Sequence, residues 1–202
     1  MKTLLHVGCG HENKYHLKVF NNDNWKEIRF DIDESFNPDI VGTMTDMKSV
    51  ETASVDALYS SYNIDHIYPH QVPIALREFH RVLKEDGIVV IKCPDIQGVC
   101  EAVVQDKLLE PLYDSPGGPI SPIDALYGWR ARIEEGKEYM AHKGGFTYSV
   151  LNSAFYEAGF KVRIGGRRPL DYELWLVAFK QKKPDEEIRK MALPFIPESQ
   201  FT

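Results

Sequence analysis

The chain has 202 residues, of which 43% are hydrophobic and 27% are charged, and this composition indicates one packed globular domain rather than a disordered or fibrous protein. The 24 basic and 30 acidic residues give a formal net charge of -6, which disfavours nucleic acid as a substrate because the phosphate backbone is also negative. Met1 leads directly into a strand pattern without the features of a secretory signal, so we expect a cytoplasmic protein with no membrane partner.

The first half of the chain alternates strand patterns with turns. The apolar run at 3–7 ends at Gly8-Cys9-Gly10, which is typical of a buried parallel strand that turns tightly at its carboxyl end. Residues 72–83 carry apolar side chains at helical spacing, and Asp86-Gly87 ends that pattern. The predicted strands of this half span residues 3–7, 28–30, 40–41, 55–60 and 88–91.

The second half begins with a predicted helix at 97–109 and a segment at 110–145 that is rich in proline and glycine. We interpret that segment, hereafter the insertion, as a functional lid or a surface excursion of a single domain at 1–182. A helix at 148–158 and strands at 160–164 and 174–179 follow, and residues 183–202 are predicted to form a tail. The glycines and arginines at 165–169 indicate a long hairpin connection, so the last strand should be antiparallel.

This order of elements predicts an α/β fold with a doubly wound, mainly parallel sheet and helices on both faces. Ligands of such folds bind at the carboxyl ends of the strands. The three cysteines, Cys9, Cys93 and Cys100, lack metal-ligand spacing. We expect all three to be reduced, with Cys93 and Cys100 buried as small core residues.

Gly8-x-Gly10 at the end of the first strand lets a ligand approach the backbone closely. The third glycine of a dinucleotide fingerprint would fall at Asn13, so the motif that seats a pyrophosphate is incomplete, which counts against NAD. Asp31 follows the second strand, 21 positions after Gly10, where a carboxylate can accept hydrogen bonds from both hydroxyls of a ribose. These residues predict a cofactor that contains adenosine.

Several segments resemble, in order and spacing, the motifs of the class I S-adenosylmethionine-dependent methyltransferase superfamily. The segments are Leu5–Gly10, Phe30–Asp33, Asp46-Met47, Ser54–Ala57 and Arg77–Gly87. Within that superfamily the chain is similar to small-molecule methyltransferases over roughly residues 2–180. The resemblance implies a Rossmann-like sheet of seven strands with an antiparallel last strand, S-adenosylmethionine as cofactor, S-adenosylhomocysteine as product, and a small-molecule acceptor.

The resemblance also implies where the cofactor lies along the chain. Gly8, Cys9 and Gly10 would lie along the methionine part of the cofactor. Asp31 would bind its ribose, and Ile32 would pack on its adenine. Asp46 and the backbone of Met47 would contact the adenine amino group. The residues that would border the methyl group are Ser60, Ser61 and Tyr62.

Asp65-His66 matches a position where the superfamily often has Glu-His, which implies a role close to the acceptor. A sulfonium methyl group is already electrophilic, so the protein mainly has to align the acceptor, and His66 or His142 is available as a proton acceptor. A lone histidine is more often a packing residue, and that alternative stays open. We predict no metal site, because Pro69 interrupts the helix that would align His66 with His70.

The insertion and its flank contain aromatic and cationic residues that suit an acceptor with a ring or an acidic group, although a structural flap is an equal alternative. Those residues are Tyr127, Trp129, Arg130, Arg132, Tyr139, His142 and Lys143. The basic patch of Arg163, Arg167 and Arg168 is predicted to decorate a hairpin. An NAD(P)-dependent oxidoreductase and a non-catalytic S-adenosylmethionine-binding module remain as alternative functions.

Overall fold

The computed structural model describes residues 1–115 and 117–195. Its central sheet has seven strands in the order β3-β2-β1-β4-β5-β9-β8, and β6 and β7 form a separate hairpin within the insertion. The strands are β1 Lys2–Val7, β2 Trp25–Asp31, β3 Ile40–Val41, β4 Val55–Ser61, β5 Leu83–Pro94, β6 Tyr113–Ser115, β7 Gly118–Ile120, β8 Val162–Arg168 and β9 Glu173–Phe179. The helices are α1 Val72–Val82, α2 Ile96–Val104, α3 Pro122–Tyr127, α4 Arg130–Glu134, α5 Tyr148–Glu157 and α6 Asp185–Ala192.

The predicted fold class is confirmed. Strands β1 to β5 are parallel, and β9 is antiparallel to both of its neighbours, β5 and β8. Strand β1 lies between β2 and β4, so the strand order reverses direction at β1. In doubly wound sheets that reversal opens a crevice outside the carboxyl ends of the strands.

One hydrophobic cluster covers the first face of the sheet. It joins the strands to helices α1 and α5 through side chains such as Leu76, Phe79, Leu151 and Phe155, all fully buried. Apolar residues three and four positions apart place these side chains on one side of each helix, as the periodicity of residues 72–83 predicts. Among the described residues, no helix is long and apolar enough to cross a membrane.

The second face of the sheet differs from the prediction, because residues 183–202 are not simply a tail. Helix α6 begins after Pro184 with three acidic residues in its first turn, which favour a helix amino terminus. Ile188 and Ala192, one turn apart, are buried in a second cluster that includes Phe20. The connection from β1 to β2 holds only a short 3-10 turn at Lys14–His16, so α6 covers apolar surface there. Residues 196–202 of the predicted tail lie outside the described residues.

The connection before the last strand also differs from the prediction. Strand β8 continues to Arg168, which pairs with Glu173 of β9, so the turn is confined to residues 169–172, and the glycines and arginines at 165–168 lie in the strand. Gly165 lies within the strand, where a side-chain Cβ would approach the carbonyl oxygen of Trp175 to 2.4 Å. The glycine is therefore needed for close approach of the two backbones. The sequence pattern Gly165-Gly166 by itself predicts a turn, because glycine pairs are typical of turns.

The predicted burial of the cysteines holds for Cys93 and is wrong for Cys100. Cys93 lies in β5 and is fully buried. Helix α2 ends at Val104 rather than at 109, and it turns Val99 and Ala102 inward while Cys100 faces solvent. A helix only nine residues long with one buried stripe leaves its intervening positions exposed.

Candidate active site

A cavity of about 1060 Å³ lies at the carboxyl ends of the parallel strands, where the fold predicts a ligand site. Its floor comes from the ends of β1, β2, β4 and β5, and its roof comes from the insertion. The insertion lines the cavity instead of running over an unrelated surface. This position favours the interpretation as a lid over that as a surface excursion. The roof residues are Tyr113, Asp114, Ser115, Gly117, Ile120, Asp124, Ala125, Trp129, Arg132, Tyr139, Met140, His142 and Lys143.

The turn after β1 has the backbone that its glycines predict. Gly8 and Gly10 have φ angles of +67° and +52°, in the left-handed region that favours glycine. A Cβ on Gly8 would lie 2.0 Å from the Asn63 Oδ1 atom, whereas a Cβ on Gly10 would meet nothing within 4 Å. Asn63 Nδ2 donates to the carbonyl oxygens of Val7 (3.1 Å) and Ser61 (2.7 Å). Asn63 thus ties the ends of β1 and β4 together, a role that the sequence did not indicate.

Asp31 lies at the end of β2 with its carboxylate buried beside this turn. One oxygen, Oδ2, accepts from the backbone N–H of Gly10 (2.8 Å), and Oδ1 accepts from that of Asp33 (2.9 Å). Each carboxylate oxygen can accept a further hydrogen bond, and Asp31 lines the cavity. Ile32 also lines the cavity and is 56% exposed, which leaves apolar surface for a flat ring.

Two predicted adenine contacts are not brought to the cavity. Asp46 is half exposed and pairs with Lys48 at 3.0 Å. The side chain of Met47 is fully buried, and its backbone N–H donates to Glu78 Oε2 (2.8 Å). The residues of this loop that do line the cavity are Gly42, Thr43 and Met44.

The end of β4 is divided between core and cavity. Ser60 is fully buried and lies 3.3 Å from Asn63 Nδ2 through its hydroxyl, whereas Ser61 and Tyr62 line the cavity. The Tyr62 hydroxyl donates to Glu173 Oε2 (2.9 Å), and burial together with the Glu173 charge raises the pKa of Tyr62 well above its usual value. Because of this raised pKa, Tyr62 stays neutral, and its hydrogen bond fixes it at the wall of the cavity. Lys92 contacts the same carboxylate at 3.1 Å.

Asp65, His66 and His142, hereafter the Asp65 cluster, meet at the edge of the cavity. His142 Nε2 lies 2.9 Å and His66 Nε2 lies 4.0 Å from Asp65 Oδ2, and the two rings meet edge to face at 4.7 Å. The backbone N–H groups of Lys143 and Gly144 donate to the Asp65 carbonyl oxygen (2.8 and 3.1 Å). The structure therefore brings His142 to the Asp65-His66 pair, a meeting that the sequence analysis did not predict.

Burial and charge act in opposite directions on the Asp65 cluster. Burial alone would raise the pKa of the Asp65 carboxyl, but His142 at hydrogen-bond distance and the charge of the histidines hold that pKa below its usual value. Burial likewise opposes the charged form of His142, yet the adjacent carboxylate raises the pKa of His142. Burial dominates at His66 and lowers its pKa.

One acidic residue in the loop after β2 contacts the insertion. Asp33 Oδ2 accepts from Lys137 Nζ (2.7 Å) and from the Tyr139 hydroxyl, and we call this contact the Asp33 bridge. These hydrogen bonds hold the pKa of Asp33 far below its usual value. The bridge joins the loop after β2 to a segment more than 100 positions later, and the sequence did not indicate it.

The aromatic and cationic residues of the insertion have different surroundings. Trp129, Arg132, Tyr139, His142 and Lys143 line the cavity. The other two do not line it, since Tyr127 is exposed to solvent and Arg130 pairs with Asp124 at 2.6 Å.

The basic patch near the end of the chain lies on the β8–β9 hairpin, as predicted, and its cations are engaged within the protein. Arg163 donates to Asn152 (2.8 Å), Arg167 pairs with Asp95 (2.5 Å) and Arg168 pairs with Glu173 (3.0 Å). These contacts account for the patch as a structural feature of the hairpin.

Residues 5–91 match the model of a protein family described as a methyltransferase domain. This region contains the glycine turn, Asp31, the end of β4 and two members of the Asp65 cluster. No curated protein matches the sequence significantly.

Solved structures with the same fold include three methyltransferases at low identity. The citrinin polyketide synthase CMeT domain is 13% identical with a TM-score of 0.58, covering 90% of this chain and 47% of its own. The CurJ carbon methyltransferase is 13% identical with a TM-score of 0.59, at 90% and 49% coverage. A SAM-dependent methyltransferase from Archaeoglobus fulgidus is 12% identical with a TM-score of 0.55, at 88% and 85% coverage. The chain thus spans about half the length of the first two, and these likenesses establish the fold.

Proposed function

We propose that the chain, whose residues 5–91 match the model of a methyltransferase domain, belongs to the class I S-adenosylmethionine-dependent methyltransferase superfamily and transfers a methyl group from S-adenosylmethionine to a small-molecule acceptor. The observation that carries this proposal is a single cavity with two unlike ends. A glycine turn and a ribose-type carboxylate lie at one end, and a buried acid with two histidines lies at the other.

Three residues at the first end support the cofactor assignment. Gly10 combines a left-handed backbone with open space beside it, Asp31 retains acceptor capacity on both oxygens, and Ile32 offers apolar surface. We assign the methionine part to Gly8 and Cys9, the ribose to Asp31, and the adenine to Ile32 with Thr43 and Met44. S-adenosylmethionine, when bound, supplies an electrophilic methyl group on a sulfonium sulfur.

The second end would hold the acceptor. We place the acceptor beside Ser61 and Tyr62, under the insertion, whose Trp129, Arg132 and Lys143 line the same cavity. An aromatic ring and two cations suit a small acceptor that carries a ring or an acidic group. Enclosure by the insertion excludes water and limits the size of the acceptor, so the residues of this end position the reacting atom. We assign that positioning to Asp65, His66 and His142.

No observation favours the oxidoreductase alternative. A dinucleotide pyrophosphate binds at the amino terminus of the helix that follows the first strand. Here Asn13 caps a three-residue 3-10 turn, Lys14–His16, in place of such a helix. The non-catalytic alternative differs from the proposal only in turnover, so activity decides between them.

A transfer assay tests the proposal. The purified chain is incubated with methyl-labelled S-adenosylmethionine and a cell extract that has been separated into small molecules, proteins and nucleic acids. We expect label in the small-molecule fraction, at a level that a heat-denatured sample does not reach. Label only in protein or nucleic acid would contradict the assigned acceptor class, and cofactor binding without transfer to any fraction would favour the non-catalytic module.

A further inference from the structure

We propose that Asp65, His66 and His142 bind one divalent transition-metal ion at the acceptor end of the cavity. Each residue offers one ligand atom, and these three atoms lie within 4.8 Å of one another. Two ligands come from the turn after β4 and the third from the end of the insertion, so the site forms only when the insertion is folded over the cavity.

The hydrogen bonds of both histidines leave their Nε2 atoms as acceptors. His142 Nδ1 lies 2.8 Å from the Ala125 carbonyl oxygen, and His66 Nδ1 lies 3.3 Å from that of Ala141. A carbonyl oxygen only accepts, so each Nδ1 carries the hydrogen, and the Nε2 of each neutral ring has a lone pair. Metal-binding histidines typically donate the second ring nitrogen in this way, which fixes the tautomer and aims the ligand atom.

Asp65 supplies the negative charge of the site. Its side chain is only 1% exposed, and within the described parts of the chain neither carboxylate oxygen has a hydrogen-bond donor in good geometry. Although His142 Nε2 lies at hydrogen-bond distance, the contact is poorly directed. Burying a carboxylate without a donor is unfavourable, and a cation shared with two imidazoles would satisfy it.

The distances among the ligand atoms suit an ion. Imidazole nitrogen and carboxylate oxygen lie about 2.0–2.2 Å from zinc, so neighbouring ligand atoms around one ion are about 3–3.5 Å apart. The observed separations of 2.9 and 4.0 Å from Asp65 Oδ2 bracket that range. Two imidazoles and one carboxylate favour Zn²⁺, Fe²⁺, Mn²⁺ or Co²⁺ over Mg²⁺ or Ca²⁺.

Both histidines line the cavity, so the remaining positions of the ion would face the acceptor. A metal ion lowers the pKa of a bound hydroxyl group and orients it. This second step rests on the proposed function, and it narrows the acceptor to a molecule that presents an oxygen or nitrogen donor to the ion. The metal site itself does not depend on the activity.

Direct metal binding tests the site. The full chain is stripped with a chelator and titrated with Co²⁺ and Zn²⁺, with binding followed by calorimetry and by the visible absorption of Co²⁺. We expect one ion per chain, an affinity at least tenfold weaker in His142→Ala and in His66→Ala, and unchanged affinity in His70→Ala. His70 is the matched control, because it lies four positions after His66 and is exposed.

The outcomes separate this inference from the proposed function. A wild-type chain that binds S-adenosylhomocysteine but no metal overturns the metal site alone, as does binding that survives in His142→Ala and His66→Ala. A chain that binds the metal but transfers no methyl group contradicts the proposed function alone. If His142→Ala does not fold, the Co²⁺ absorption spectrum of His142→Gln is compared with that of the wild type. Loss of a nitrogen ligand should shift the absorption bands, and identical spectra would contradict the site.

Discussion

The two halves of the cavity are built in different ways. The floor uses backbone geometry at the ends of neighbouring strands, as in the turn of Gly8 and Gly10 against Asp31. The roof depends on side-chain contacts between segments far apart in sequence, such as the Asp33 bridge and the contact of Asp65 with His142. The comparison teaches that residues of the floor can be assigned from local motifs, whereas those of the roof need the folded chain.

Gly8→Ala should have the largest effect, because the floor is held by close backbone approach. The new Cβ would lie 2.0 Å from the Asn63 side chain at a φ of +67°, and the clash and strain together should cost about 3 kcal/mol of unfolding free energy. Gly10→Ala is the matched control, since its Cβ would meet nothing within 4 Å; strain alone should cost about 1 kcal/mol. Denaturant titration measures both, and equal losses would contradict the described role of Asn63.

Ile188→Ala tests whether helix α6, after the last strand, also contributes to the core. Ile188 is buried on α6 against the second face of the sheet, so its truncation should lower the unfolding free energy by about 2–3 kcal/mol. Lys190→Ala changes an exposed position of the same helix and should stay within about 0.5 kcal/mol. If the two variants unfold alike, α6 does not pack on the sheet.

Lys137→Met weakens the link between roof and floor. The variant removes the Lys137 contact of the Asp33 bridge and leaves that of Tyr139, so the loss of stability should be small, and cofactor binding should weaken roughly fivefold because the insertion closes less often. Limited proteolysis should then cut within residues 110–145 sooner than in the wild type. Glu135→Gln, which removes the exposed pair with Arg132 in the same segment, should leave both measurements unchanged. Faster cleavage in Glu135→Gln as well would contradict the specific role of the bridge.

The last prediction concerns the rates at which the cysteines react with a thiol reagent, and it involves no loss of stability. Cys100 is exposed on α2, Cys93 is buried, and burial raises the pKa of Cys9 to about 11. A thiol reagent under native conditions near pH 8 should modify Cys100 quickly and Cys9 slowly, and a bound cofactor should protect only Cys9. Cys100→Ser should remove the fast phase, and a fast phase that persists in this variant would overturn the assignment.

The sequence predicts the parallel strands well because continuous apolar runs such as 3–7 and 88–91 mark buried strands directly. It fails where tertiary context overrides a local pattern. Gly165 belongs to a strand because its backbone packs against Trp175. A charged segment after Pro184 forms a helix because Ile188 and Ala192 bury apolar surface against the face of the sheet near Phe20.

The candidate site divides in the same way. Asp31 and Ile32 follow from their place after a strand, and the structure brings both to the cavity. Asp46 does not reach it, because Met47 turns into the core and its backbone binds Glu78. Asn63, the Asp33 bridge and the meeting of His142 with Asp65 involve partners 56, 104 and 77 positions apart, respectively, so no local motif contains them.

The central claim is that Asp31 binds the ribose of S-adenosylmethionine and that Asp46 makes no contact with the cofactor. Calorimetric titration of the wild type, Asp31→Ala and Asp46→Ala with S-adenosylmethionine and S-adenosylhomocysteine tests it directly, with circular dichroism to verify folding. We predict that Asp31→Ala binds roughly 10- to 100-fold more weakly, because hydrogen bonds to a charged acceptor are lost, while Asp46→Ala binds like the wild type. Weaker binding by Asp46→Ala with unchanged binding by Asp31→Ala, or no binding by the folded wild type, would contradict the account.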